Sequence, residues 1–474
     1  MGSLPIKTVA LPLAFTLGLA GFTFIDPVRE NATLLRTFGG AVVLLLAWNA
    51  VLLASAVRHS RTLAVEIVLR KQHYLQACAQ GSVLVYWGWY WRQVYDSAYL
   101  IAAQLVFAYA FDMLLSWSRR DGYTLGFGPF PVIFSINLFL WFRPDWFYMQ
   151  FLMVALGFAA KDLIRWDKEG RRTHIFNPSS FPLAVFSVAL LVMGRSEMTW
   201  GQEIASTQFY PPHMYLMLFL IGLPGQYLFG VTTMTMSAAV TTYLFGLLYY
   251  AATGIYFFYD SYIPIAVFLG MHLLFTDPST SPRTELGRLI FGALYGLSTV
   301  ALYAVLGHMG LPTFYDKLLQ VPILNLSIRL IDRAVRSTRL RAFDPGTLAT
   351  WLAPVRRHLA YMAVWALVFA GMSAARGVGD DHPGQWLPFW QQACAQDRPY
   401  ACSYLENVVS SDCDRGSTWA CNELASGLPG APPAIEDYPI VLKGSKGPIR
   451  DVSRAGLEAL ACREGWRGTC DQRR

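Results

Sequence analysis

Long apolar stretches separated by short polar ones recur along the first 376 residues of this 474-residue chain. Most stretches approach the roughly 20 residues that an α-helix needs to cross the hydrocarbon core of a bilayer. The pattern therefore predicts an all-α polytopic membrane protein with about 10 to 12 transmembrane helices. The predicted spans lie near residues 8–25, 39–57, 76–92, 97–116, 128–142, 146–163, 180–194, 213–230, 234–258, 261–275, 289–307 and 356–376.

Three segments do not fit an upright transmembrane helix. The runs 128–142 and 180–194 are short, so we expect them to be tilted, discontinuous or re-entrant. Membrane proteins place binding sites at broken helices of this kind. The segment 319–331 would have to return the chain to the cytoplasmic side, but it is too short and too polar for an ordinary span. The number of crossings around it stays open.

Composition supports the membrane assignment and argues against nucleic acid as a partner. Hydrophobic residues make up 54% of the chain and charged residues 15%, whereas a soluble domain carries about a quarter charged residues. The net charge of +7 is carried by arginine-rich clusters between apolar runs. The positive-inside rule places these clusters, and the N-terminus, in the cytoplasm of a bacterium whose inner membrane holds the chain. The clusters lie at residues 58–71, 118–120, 165–172, 283–288 and 329–357.

A hydroxyl-rich loop at residues 275–288 separates two of the predicted spans. Its Asp-Pro and Ser-Pro pairs push the preceding residue out of the helical region of backbone space. Its Thr, Ser and Asp side chains favour hydrogen bonds to nearby backbone groups. The loop is therefore predicted to end one helix and to cap the next.

After residue 376 the chain becomes polar, and residues 377–474 contain six of the seven cysteines. Regularly spaced, even-numbered cysteines indicate disulfides in an oxidising compartment, so we expect a periplasmic tail. Six cysteines allow fifteen connectivities, of which pairing within each closely spaced couple is the simplest. Cys78 lies in an apolar run and is predicted to be an inert core thiol. The couples, each with seven residues between its members, are Cys394 and Cys402, Cys413 and Cys421, and Cys462 and Cys470.

The first two cysteine couples resemble the disulfide-bridged helical hairpins of Sel1-like repeat proteins. The resemblance implies a small, disulfide-stapled helical tail, and it favours an extracytoplasmic protein as the partner of the tail. The alternative is a secreted tail that is stapled for stability and has no binding role.

Two polar interruptions follow each other in the region 125–310. The first contains Lys161-Asp-Leu-Ile-Arg165 and His174-Ile-Phe-Asn-Pro-Ser-Ser-Phe181, and the second is the loop from Thr276 to Arg288 with the helix that follows it. Together they resemble the NqrB/RnfD family of membrane proteins, which belong to the sodium-pumping NADH:quinone reductase and to the Rnf complex. The resemblance is strongest to the RnfD-like branch that is associated with enediyne biosynthesis.

This resemblance implies two similar helix bundles in opposed arrangement, with flavin and quinone chemistry at the membrane. The pairing of Asn-Pro-Ser at 177–179 with Asp-Pro-Ser at 277–279 is consistent with such a duplication. The threonine pattern through which known members attach FMN covalently is missing, and the nearest strings begin at Asp121 and Val231. FMN or riboflavin is therefore expected to bind non-covalently or on a partner, with quinone as a further candidate.

Residues around the two loops are the candidates for cofactor binding, because a flavin phosphate favours arginine forks and helix N-termini. Structural roles are the alternative: arginines fix topology, and Asn, Ser and Asp cap helices. The histidines occur singly, and no catalytic residue or metal site is predicted. The candidate cofactor-binding residues are Arg165, His174, Asn177, Ser179, Thr276, Asp277, Ser281 and Arg288.

We expect four regions: transmembrane helices (1–120), a core like that of the family (121–310), an interfacial segment with the last span (311–376) and the periplasmic tail (377–474). Two functions are compatible with them. In the first, the protein is a subunit of a membrane electron-transport complex, and another subunit supplies the electrons. In the second, it is a redox-silent transporter or membrane scaffold. The two retained loops favour the first, and the missing attachment pattern favours the second.

Overall fold

The computed structural model describes residues 6–61, 63–168, 170–209, 211–258, 261–348, 352–380, 383–398, 401–427, 430–442 and 453–470. Within these ranges the chain is predominantly α-helical, which confirms the helical fold class. The first helices are α1 (Ile6–Gly21), α2 (Asp26–Arg29), α3 (Ala32–Arg58), α4 (Lys71–Tyr90), α5 (Gln93–Asp96), α6 (Ala98–Arg119), α7 (Pro129–Asn137), α8 (Phe147–Leu163), α9 (Ser180–Met193), α10 (Gly201–Thr207) and α11 (Met214–Phe229). The following ones are α12 (Thr232–Thr253), α13 (Ile265–Leu273), α14 (Glu285–His308), α15 (Val321–Val335), α16 (Thr338–Arg341), α17 (Pro345–Leu348), α18 (Pro354–Ala374), α19 (Leu387–Ala395), α20 (Ala401–Asp414), α21 (Thr418–Ser426), α22 (Tyr438–Val441) and α23 (Arg454–Arg463).

Three helices are long and apolar enough to cross a membrane, by length and composition, among the residues that the structure describes. They are α3 with 27 residues, α6 with 22 and α14 with 24. Shorter apolar helices, among them α9 and α11, occupy other predicted spans. The structure therefore supports membrane association through these three helices.

Several apolar runs are broken where a polar side chain or a proline stands. The run 128–142 is discontinuous, as predicted, because α7 ends at Asn137. The Asn137 amide exchanges two hydrogen bonds with the Gln104 amide of α6, so the broken end is satisfied inside the bundle. In the run 261–275, α13 has only nine residues, and all of them are buried.

Two short strand pairs are a part of the fold that the apolar pattern did not predict. Strand β1 (Ala64–Ile67) pairs in parallel with β2 (Gly122–Leu125), and β3 (Arg165–Lys168) pairs antiparallel with β4 (Arg171–His174). All four strands lie between predicted spans, and β1 and β3 lie within the basic clusters 58–71 and 165–172. They give these polar connections a fixed backbone.

Helices α12 and α14 pack closely because two glycines of α14 face α12. A Cβ at Gly292 would overlap the carbonyl oxygen of Met234, and one at Gly296 would lie 2.9 Å from that of Ala238. The Gly-x-x-x-Gly spacing puts both on one helix face and allows the backbones to approach. The Ser237 hydroxyl adds a hydrogen bond of 2.7 Å to the Leu289 carbonyl.

The tail contains three disulfides, and the pairing within each couple is confirmed. The first bond joins α19 to α20, the second joins α20 to α21, and the third ties α23 to the 3₁₀ turn that follows it. The helices that they join are short, as the resemblance to disulfide-bridged helical hairpins implied. The prediction for Cys78 was wrong, because its side chain is exposed on the outer face of α4.

The tail packs on the far end of α12. Trp390 and Leu387 of α19 belong to one buried cluster with Tyr256 and Tyr262, which lie in the connection from α12 to α13. The guanidinium of Arg398, inside the first disulfide loop, lies against Gly254, where α12 ends. A positive charge at a helix C-terminus stabilises the exposed carbonyl groups.

We expect the substitution Gly292→Ala to destabilise the protein, because the new methyl group would overlap the Met234 carbonyl. Overpacking of this kind costs about 1–3 kcal/mol. The measurement is thermal unfolding of the detergent-purified protein. Gly371→Ala in α18 is the control, because no described atom outside its own helix backbone and chain neighbours lies within 4 Å of the added Cβ. Equal unfolding temperatures for the two variants would contradict the packing argument.

Replacing both Cys413 and Cys421 by serine should loosen the tail. A closed loop of this size stabilises by about 2–4 kcal/mol, so the tail of the variant should be cut faster in limited proteolysis of the full chain. Cys78→Ser, which removes a cysteine outside any disulfide, is the control and should leave the cleavage rate unchanged. An unchanged rate in the double variant would mean that packing alone holds α20 and α21 together.

Candidate functional site

A cavity of about 520 Å³ lies at the end of the bundle where α4, α7 and α9 begin. Its wall includes residues 177–179 of the first polar loop and 277–279 of the second. The volume falls within the range of about 300–1,000 Å³ that is typical of small-molecule sites. The cavity brings together five of the eight predicted cofactor-binding residues, namely Arg165, His174, Asn177, Ser179 and Asp277.

The other three predicted residues lie outside the cavity wall. The Thr276 hydroxyl donates to the carbonyl of His272 at 2.9 Å, and the Ser281 hydroxyl donates to the carbonyl of Asp277 at 2.8 Å. Arg288 pairs with Glu285 at 2.5 Å, within the first turn of α14. The described contacts of these three residues therefore stabilise the loop and the start of α14.

The two Pro-Ser turns that border the cavity share a hydrogen bond from a backbone N–H to the side chain two residues earlier. In the first, the Asn177 side-chain oxygen accepts from the N–H of Ser179 (2.9 Å) and of Ser180 (3.1 Å). In the second, the Asp277 side-chain oxygen accepts from the N–H of Ser279 at 2.9 Å. The sequence left capping as the alternative to cofactor binding for both residues; the structure shows the capping hydrogen bonds, and both residues also line the cavity. A shared turn geometry is consistent with an internal duplication.

Buried hydrogen bonds tie the two turns to each other. The Asn177 side-chain amide donates to the carbonyl of Leu274 at 3.0 Å. Asn325 of α15 completes the connection, because its amide donates to the carbonyl of Thr280 and its oxygen accepts from the N–H of Asn177. The sequence did not indicate Asn325, which lies in the segment that we found too polar for a span. A polar residue at a buried position of an amphipathic helix is the signal that could have found it.

Asp277 is an ionised cap in contact with a histidine. Burial alone would raise the pKa of Asp277, but the hydrogen bond and charge of His174, with the Ser279 N–H and the Thr280 hydroxyl, lower the pKa below its ordinary value. His174 lies 3.0 Å from the carboxylate, and both side chains are mostly buried. The pair joins β4 to the second loop, so it fixes one side of the cavity.

Asp162, at the end of α8, is a second carboxylate in the wall. It forms ion pairs with three arginines. Arg119 lies at 3.0 Å and Arg165 at 3.1 Å from its two oxygens, and Arg120 pairs with it as well. The Asp162 side chain is buried, whereas the arginines are half-exposed. This arrangement holds guanidinium groups from the end of α6 and the start of β3 together on one carboxylate of α8 beside the cavity.

The wall carries more basic residues than the sequence identified. Its acidic residues are Asp112, Asp162 and Asp277, against five arginines and lysines: Arg70, Arg120, Lys161, Arg165 and Arg172. The cavity is therefore positively charged even when its histidines are neutral.

The sequence missed Arg70 and His73, which come from the start of α4. His73 lies in the turn before the predicted span 76–92, and burial, with the charges of Lys161 and Arg70, lowers its pKa to about 4. Two cations at a helix N-terminus, Arg70 and Lys71, are unfavourable unless an anion is near. That mismatch is the sequence signal that could have marked the site.

Helix ends add to the positive field. The residues that begin α4, α7 and α9 line the cavity, so the positive dipole ends of three helices lie at its wall. The first N–H groups of α9 are already bound by the Asn177 side chain, and Pro129 and Pro131 of α7 have none. The C-terminal ends of α6 and α8 lie there too, but Arg119 and Lys161 in their last turns offset the negative end of each dipole. The arrangement favours an anionic ligand.

Comparisons with protein-family models, with curated proteins and with solved structures found no match for this chain. The resemblance of the two polar loops to the NqrB/RnfD family therefore stays a prediction. Among the residues that the structure describes, no group of His, Cys, Asp and Glu side chains is placed to hold a metal ion.

We expect Asp277→Asn to destabilise the protein at pH 7 by about 1.5–3 kcal/mol, because hydrogen bonds to a charged group are lost. The lowered pKa of Asp277 means that its contribution is complete above the ordinary value of 3.8 and is lost as the pH falls through the folded-state value. The difference between variant and wild type should therefore shrink in acid. Denaturant unfolding at pH 7 and at about pH 3 measures it.

The control for this experiment is Asp26→Asn, because Asp26 is exposed and its described ion pair is with Arg29, one helical turn away at the surface. It should change stability by less than about 1 kcal/mol. A variant at Asp277 that behaves like the control at pH 7 would contradict the proposed role of the His174 contact.

Proposed function

We propose that this protein is a multi-pass membrane subunit of an electron-transport complex, and that its basic cavity binds a flavin non-covalently. The observation that carries the proposal is the cavity itself, a drug-sized space between two matched polar turns with a positive wall. FMN is the first candidate because its phosphate would bind arginine, lysine and helix N-termini. Riboflavin or a quinone would use the same space with fewer ionic contacts.

The basic wall supports the phosphate end of such a ligand. Lys161 and Arg172 come from α8 and β4, and Arg70 comes from the start of α4, so three separate elements supply cations. A Cβ at Gly128, at the start of α7, would lie 4.0 Å from the Lys161 ammonium and 3.6 Å from the His73 ring. A phosphate beside this position would contact the Lys161 cation and the positive end of the α7 dipole.

The distribution of charge supports an orientation. The arginine clusters at residues 58–71, 118–120 and 165–172 are at the cavity end of the bundle, and the disulfide-bonded tail packs at the opposite end of α12. With the positive-inside rule, the cavity faces the cytoplasm and the tail faces the periplasm of a bacterial inner membrane. The tail would then contact an extracytoplasmic protein, and other subunits of the complex would supply and accept electrons.

A redox-silent transporter or membrane scaffold is the second candidate. Phe229 is the one Phe, Tyr or Trp side chain in the described wall of the cavity, whereas flavin rings favour apolar and aromatic surfaces. Together with the missing attachment pattern, this lining favours a smaller anion. A transporter would bind that anion reversibly and hold no chromophore.

The test is the absorbance and fluorescence spectrum of protein purified in mild detergent, before and after denaturation, with the mass of the intact chain. A flavin that is released on denaturation from a chain of unmodified mass is the expected result. Replacing Lys161 and Arg172 by glutamine should then lower flavin occupancy at least about tenfold, because two charge-assisted contacts to phosphate are lost.

Arg195→Gln is the matched control, because Arg195 is exposed and lies outside the cavity wall. The flavin occupancy of this variant should equal that of the wild type. A colourless protein of unmodified mass, purified without loss of cofactor, would reject the flavin proposal and favour the transporter or scaffold.

A further inference from the structure

Residues 323–343, which include most of α15 and all of α16, form an outer surface beside the start of α14. Two aspartates attach this segment to the bundle. Asp332 accepts from the N–H of Arg283 at 3.0 Å, and the adjacent Asp344 accepts from the N–H of Leu286 at 3.3 Å. Both carboxylates are buried. Both negative charges therefore lie inside the protein, where they accept hydrogen bonds.

The charges that remain outside are positive. Residues 323–343 contain five exposed arginines, and their single acidic residue is the buried Asp332. Arg329 is already engaged, since its guanidinium lies 4.5 Å from the Trp166 ring and donates to the carbonyl of Asp167. Arg333, Arg339 and Arg341 extend from the same surface toward solvent.

Exposed apolar side chains accompany these arginines. Ile323, Leu326 and Leu330 are 69%, 55% and 66% exposed, and their spacing places them on one face of α15. Phe343, two residues after Arg341, is 69% exposed. The surface therefore consists of an apolar stripe that leads into a basic patch with an aromatic side chain at its edge.

We propose that residues 323–343 bind anionic phospholipid. The apolar stripe of α15 contacts acyl chains, and Arg333, Arg339 and Arg341 contact the phosphate of the headgroup. Arginine binds phosphate through paired N–H groups, and basic segments next to apolar helix faces bind anionic bilayer surfaces. Charge complementarity with an anionic leaflet favours this ligand over a soluble polyanion, which would leave the stripe and Phe343 without a contact.

The test uses the full chain, delipidated in detergent and titrated with phosphatidylglycerol or phosphatidylcholine, with bound lipid counted by native mass spectrometry. We expect the wild type to retain phosphatidylglycerol more tightly than phosphatidylcholine. Replacing Arg333, Arg339 and Arg341 by glutamine should weaken phosphatidylglycerol binding on the order of fivefold for each arginine lost. Rising salt should weaken wild-type binding as well.

The matched control removes three other exposed arginines that each pair with a carboxylate: Arg29, Arg195 and Arg454. It carries the same change in net charge, so unchanged lipid binding in this control is the expected result. Equal losses in both triple variants, or equal binding of the two lipids by the wild type, would overturn the proposal.

A second variant, Leu330→Ser with Phe343→Ser, tests the apolar stripe and its aromatic edge and keeps all arginines. Its phosphatidylglycerol binding should also be weaker, by at least about threefold. If this variant binds normally, and if inorganic phosphate or a short RNA displaces the lipid from the wild type, the surface is a site for soluble anions. That outcome would overturn the lipid assignment even if the arginine variant is poorly folded.

Discussion

The hydrogen bonds among Asn177, Leu274 and Asn325 hold the two polar loops in one place, and the cavity depends on that connection. Each bond contributes about 1 kcal/mol net, but breaking one leaves a buried polar group unsatisfied at a cost of about 1–3 kcal/mol. The loops therefore separate only if several such groups lose their partners together. His174 and Asp277 add a charged contact on the same side. The rest of the wall is arranged around this fixed pair of turns.

The parts of the site that the sequence predicted are those that depend on near neighbours. Asn177 and Asp277 cap the residues two positions further on, and Cys394 pairs with the next cysteine, so short-range chemistry was enough. The flanking prolines made the turns visible as well.

What the sequence missed depends on distant partners. Strand β1 pairs with β2 across almost 60 residues, and Arg70 reaches the cavity because α4 packs beside α7. Arg288 was predicted to bind the cofactor because of its place in the loop, yet its guanidinium pairs with Glu285. The Glu285 carboxylate also accepts a hydrogen bond from the Thr233 hydroxyl of α12. Position along the chain does not reveal such competition between partners.

The close packing of α12 and α14 separates the two ends of the molecule by a fixed distance. Helix α12 has 22 residues and is about 33 Å long. Its first turn contacts Glu285 near the cavity loops, and its last residues contact the disulfide-bonded tail. A protein bound to the tail would therefore be a helix length away from a ligand in the cavity. Different residues would contact each of them, so either set could change in evolution without the other.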